Sequence, residues 1–285
     1  MDAETLTVTE SRPRSGARFG FIATSAAASA VGVVVAAFTD QLGLAVTGAL
    51  GGREPVLYHN DVAFRAGGSD LALGGGVVLS LVVGAFFLLL YPGSRRYDAA
   101  RLTTLWVVLH CFRQGFTQMV AVPLDADSNA ALAFSALDVP PGLDLVIATA
   151  GAVGLLSIAL ASAPAFLAFA PTQREIASGS RRAGFTAKLA LIPGVVGPLL
   201  AVPVFLPDPG NGLIQSLPFV GAFTIATVIA AVGTRSVTIG DYREAPGWSW
   251  LPLAWLVALG LIGQFLLARG ILIPPSLDQV FIESS

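Results

Sequence analysis

The chain has 285 residues, of which 54% are hydrophobic and only 12% charged, with a mean hydropathy of +0.75. A soluble domain carries about a quarter charged residues, so the composition argues against a soluble globular protein. The net charge of −2 points neither to nucleic acid nor to a polybasic lipid-binding tail, and a single cysteine, Cys111, leaves no internal disulfide or CxxC metal site.

Residues 1–17 are polar and read as a disordered cytoplasmic tail. Residues 19–38 form the first apolar run of membrane-spanning length, taken as a retained helix rather than a cleaved signal peptide. Its small residues Ala27, Ala28, Ala30 and Gly32 suit close helix contact. Residues 39–69, rich in glycine, read as an external loop whose middle, VLYHNDVAF, is a short strand or hairpin arm. Residues 71–91 are the second span, and the glycines at 74–76 admit a close backbone approach.

The third span, residues 103–122, is the one apolar segment with a continuous polar stripe. Thr103, His110, Arg113, Gln114, Thr117 and Gln118 recur at three, four or seven residues and so share one helix face. An arginine at bilayer depth costs roughly 2.5–3.5 kcal/mol on insertion scales. That face therefore belongs against other helices, a water-filled cavity or a ligand. Asp40 and Asp70 sit at span ends from which a carboxylate can reach inward, and His59 and Asp61 complete an outer set of candidate partners. Helix–helix hydrogen bonding is the plain alternative for the stripe.

An acidic loop at 125–142 leads to a fourth span from Leu145 to about Ala170. The fifth, 185–206, contains Pro193, Pro198 and Pro203 and is expected to be kinked. A PDPGNG turn precedes a sixth span near 213–232, and a seventh runs from about Trp250 to Ile271, with Trp248, Trp250 and Trp255 as an interfacial cluster. Lys188, the sole lysine, invites comparison with a retinal Schiff base, but it lies near a span end with no facing carboxylates.

Arg12, Arg14, Arg18, Arg95, Arg96, Arg101, Arg174, Arg181, Arg182, Lys188, Arg235 and Arg243 fall on one side of such a topology, against Arg53 and Arg65 on the other. By the positive-inside rule the N-terminus is cytoplasmic and the C-terminus external. The expected fold is an all-α, polytopic integral membrane bundle of about seven helices over residues 18–272, with an external tail at 273–285, in the cell membrane. No internal repeat is evident. The expected partners are the lipid bilayer and other membrane subunits or further copies of the chain, not nucleic acid.

The stretch Thr39-Asp40-Gln41-Leu42-Gly43, the glycine-containing region 51–66 and the turn Pro207-Asp208-Pro209-Gly210-Asn211-Gly212 together resemble the site-2-protease-type (M50-like) membrane proteins. That resemblance implies an ancestral zinc site. HExxH holds zinc through two histidines one turn apart, and Thr39, Asp40 and Gly43 supply neither, while Asn211 replaces the acidic ligand. The resemblance thus implies a non-catalytic member. No catalytic residue, resident metal or cofactor is assigned. The reading is a non-enzymatic complex subunit, scaffold or small transporter with Arg113 as the anchor for a partner or anion. The alternatives are a degenerate metalloprotease-like protein using His59, His110 and an outer acid, and a seven-helix photoreceptor with its chromophore on Lys188.

Overall fold

The computed structural model describes residues 15–65, 67–91, 98–138, 140, 142–206, 210–235, 237, 239 and 248–274. The protein is helical almost throughout. Helix α1 (Ser15–Leu50) is followed by a small cap, made of strands β1 (Pro55–Leu57) and β2 (Val62–Phe64) and a 3-10 turn, Asp70–Gly74. Then come α2 (Gly75–Leu90), α3 (Ala99–Ala121), the short α4 (Asn129–Ser135), α5 (Leu143–Leu167) and α6 (Gly179–Thr186). Helices α7 (Ile192–Ala201), α8 (Gly210–Gly233) and α9 (Leu251–Ile262) complete the bundle, and β3 (Ile271–Leu272) returns to the cap. The sheet order is β2-β1-β3, antiparallel, with Val56 opposite both Ala63 and Leu272.

Among the described residues, four helices are long and apolar enough to cross a membrane: Phe19–Leu50, Asp70–Leu90, Leu143–Leu167 and Gly179–Phe205. Shorter apolar helices cover Leu217–Gly233 and Leu251–Leu267. Their outward side chains are apolar as well, with Leu89 80% and Phe265 76% exposed.

The expected end of the first span at residue 38 is wrong. Helix α1 continues to Leu50, so residues 39–50, read as loop, are helical. Thr39-Asp40-Gln41 looks like a polar stop, yet the Asp40 carboxylate is met by amides of α3 and Thr47 Oγ1 bonds the Gly43 carbonyl at 2.7 Å. The carboxylate that should end the helix is satisfied within the bundle, and the backbone ladder runs on. The hairpin expected in the middle of that segment is present as β1 and β2.

Local chemistry marks the starts of α3, α4 and α6. Asp98, Ser128 and Ser178 accept the backbone N–H groups of Arg101, Ala131 and Arg181 as N-caps. The fifth segment is one irregular rod, Gly179–Phe205, with a π turn at Ala187–Leu191 and a 3-10 turn at Val202–Phe205. Pro193 has no N–H for the carbonyl four residues back, Leu189 O. The Ser25 hydroxyl of α1 donates to that oxygen instead, at 2.7 Å.

Of the PDPGNG turn, residues 207–209 lie outside the described residues, and 210–212 already belong to α8. Most of the N-terminal tail and the segment 275–285 likewise lie outside them.

The centre of the bundle is α1 against α3. A Cβ on Gly32 would stand 2.7 Å from the Trp106 carbonyl oxygen, so the two backbones approach as only glycine permits. Gly43 meets Gly75 and Gly76 of α2 in the same manner, with 2.9 Å to the Gly76 Cα.

Candidate functional site

The polar stripe of α3 faces α1, and together they form a ladder. At one end the Trp106 indole N–H donates to Ser25 Oγ at 3.0 Å. One turn along, His110 stacks on Trp106 with centroids 5.4 Å apart and places Nε2 3.1 Å from Ser29 Oγ. Arg113 Nε then donates to His110 Nδ1 at 3.4 Å. A guanidinium has no acceptor, so Nδ1 is the accepting nitrogen and Nε2–H donates to Ser29.

The next step crosses to Asp40. Arg113 Nη2 donates to Gln114 Oε1 at 3.3 Å, and the same amide's Nε2 donates to Asp40 Oδ2 at 3.4 Å. Gln118 Nε2 donates to Asp40 Oδ1 at 2.6 Å. Among the described residues the arginine and the carboxylate form no direct ion pair; the Gln114 amide stands between them. From Ser25 to Asp40 the ladder follows 15 residues of α1, about 22 Å at 1.5 Å per residue.

Burial changes along the ladder. His110 is 2% exposed and Arg113 4%, whereas Asp40, Gln114, Thr117 and Gln118 are half-buried. The closed end is at Ser25 and the open end at Gln118. Three polar atoms in this region are enclosed without a hydrogen-bond partner among the described residues: Arg113 Nη1, Thr117 Oγ1 and Ser80 Oγ. Ser80, wholly buried, lies on the face of α2 that also carries Gly76, against Asp40, and Gly84, against Phe112. An enclosed, unpartnered guanidinium nitrogen costs free energy that most proteins avoid.

The sequence-predicted residues divide. His110, Arg113, Gln114, Gln118 and Asp40 are brought together, and Thr117 lies on the same face. Thr103 instead bonds the Ala99 carbonyl of its own helix. The outer partners other than Asp40 are not in the site. Asp70 is ion-paired with Arg53, whose guanidinium also lies over the Phe64 ring. Asp61 accepts from the Val62 N–H in the hairpin, and His59 Nε2 bonds the Leu206 carbonyl beyond α7. Each has local work in the cap, which is why none reaches inward. No three His, Cys, Asp or Glu side chains gather as a metal site among the described residues, and Lys188 is exposed.

Sequence reasoning missed Ser25, Ser29 and Trp106. The available signal was the four-residue spacing of Ser25 and Ser29, with only alanines between them, matched by the same spacing of Trp106 and His110 on α3.

In comparison with known proteins, no family model, no curated protein and no solved structure matches the chain.

Proposed function

We propose that this is a non-enzymatic, multi-pass membrane protein that binds and carries a small anion, with Arg113 as the binding group. Helices α1, α2, α3, α5, the α6–α7 rod, α8 and α9 make seven spans, N-terminus inside and C-terminus outside. The apolar outer faces and the placement of the arginines support that arrangement. In it the open end of the ladder faces outward and the closed end lies toward the cytoplasmic side.

One observation carries the anion reading. Arg113 is buried, its charge is not directly paired, and Nη1 is enclosed without a partner. A guanidinium kept only as helix glue would spend all its donors on neighbours. Here Nε and Nη2 are committed to His110 and Gln114, so the fork is oriented while Nη1 remains to receive a ligand. The metalloprotease-like alternative needs His59 and His110 on one metal, but their contacts place them in the cap and in the ladder respectively.

Reconstitution into liposomes tests the proposal. Saturable uptake of labelled formate is expected, reduced at least tenfold in Arg113→Lys, which keeps the charge and loses the planar fork. Absence of anion flux, with companion membrane proteins purifying in fixed ratio, would make the chain a complex subunit instead.

A further inference from the structure

The ladder is neutral as it stands, and that sets a condition on what it can bind. Arg113 contributes one positive charge and Asp40 one negative charge. His110 contributes none, because its Nδ1 accepts from Arg113 and its Nε2 donates to Ser29. An anion arriving at Arg113 would leave the interior with a net negative charge. Uncompensated charge in a membrane interior is strongly unfavourable.

We infer that anion binding is coupled to uptake of one proton by Asp40, so that the transported species is a small monocarboxylic acid, taken as carboxylate and proton together. This rests on the reading of Arg113 as an anion site. The carboxylate sits on the Nη1 side of the guanidinium, and a proton from bulk water forms an O–H bond on Asp40. Gln118, which now donates to Asp40 Oδ1, can turn its amide carbonyl to receive that O–H, while Gln114 keeps its carbonyl on Arg113 Nη2. Asp40 is half-buried at the open end, so the proton reaches it without passing Arg113. Nη1 itself is enclosed, which favours the smallest carboxylates.

Other groups on the elements packed against α1 do not replace Asp40 in this role. Helices α2, α7 and α9 carry no ionisable side chain. Helix α3 brings Arg101, which lies over the Tyr91 ring near the start of the helix, and His110, Cys111 and Arg113, of which His110 and Cys111 are at the closed end or wholly buried. In the cap, Asp70 is paired with Arg53, while Glu54, His59, Asp61 and Arg65 lie on the strands, their connecting turn or their flanks. Lys188 lies in the π turn whose Leu189 carbonyl meets Ser25, at the other end of the ladder.

The test uses the purified full chain in weakly buffered detergent solution, with sodium formate as probe and chloride as a second anion. Occupancy is read from intrinsic fluorescence, since Trp106 stacks on His110 beside the site. Proton movement is read with a pH-sensitive dye. The expected result is uptake of about one proton per formate bound, with affinity falling up to tenfold per pH unit as the medium becomes more alkaline. Asp40→Asn, which resembles the protonated carboxyl, should bind formate with pH-independent affinity and take up no proton. Should that variant fail to fold, the wild-type proton count decides alone. Formate bound with no proton uptake would overturn the coupling and leave the anion site standing. No binding of formate or chloride would remove the anion site and the coupling with it.

Discussion

Two seams of this bundle are buried and polar, and they differ in kind. Between α5 and α8, Ser162 and Thr227 face each other at 3.1 Å, and each hydroxyl also bonds a carbonyl of its own helix, Ala159 and Phe223. Between α1 and α3 the ladder holds a cation and a carboxylate separated by an amide, with one guanidinium nitrogen unpartnered among the described residues. In the first seam both hydroxyls have hydrogen-bond partners and there is no charge to account for, so it is a means of adhesion. The second would be simpler and cheaper with apolar residues, and its cost suggests a task.

That contrast sets the size of the expected effects. Asp40→Leu leaves the buried Arg113 charge without its counterpart and is expected to destabilise by about 3–5 kcal/mol. Adding Arg113→Leu should recover most of that loss while abolishing anion binding, because replacing a buried pair by apolar residues is often neutral. Cys111 provides the assay. It is the only cysteine and is fully buried on α3, so its reaction with a thiol dye on heating reports unfolding.

Gly32→Ala comes next. The added methyl meets the Trp106 carbonyl at 2.7 Å and His110 Cδ2 at 2.8 Å, and forcing α1 from α3 is expected to cost about 1–3 kcal/mol. In the same thermal assay Ser29→Ala, which leaves the His110 Nε2–H without its acceptor, should cost about 1–3 kcal/mol. Ser162→Ala, in the adhesive seam, should change stability by about 1 kcal/mol or less and leave anion binding intact. An equal loss for Ser162→Ala and Asp40→Leu would erase the distinction between the seams.

Much of this was legible in the sequence. An arginine, a histidine and two glutamines on one face of an apolar helix are conspicuous, and in the structure these side chains lie along the α1–α3 seam. The reach of α1 was not legible, because Thr39-Asp40-Gln41 has the composition of a span end. Only its neighbours on α3 reveal that the carboxylate is satisfied inside the bundle. Ser25 and Ser29 were hidden for a different reason. Small hydroxyl residues among alanines are ordinary helix-packing material, and their roles depend on distant partners, the Leu189 carbonyl for Ser25 and the His110 ring for Ser29. The outer candidates His59, Asp61 and Asp70 failed because ionisable residues near a span end are as useful to a surface cap as to an interior site.

The central claim is that Arg113 receives the anion, and solid-state NMR on lipid-reconstituted protein tests it most directly. With 15N-arginine in the chain and 13C-formate added, the Arg113 guanidinium signal is identified by its loss in Arg113→Lys. The expected result is a through-space dipolar contact between the formate carbon and that guanidinium. Formate bound at saturation with no such contact would contradict the account and return Arg113 to the status of helix glue.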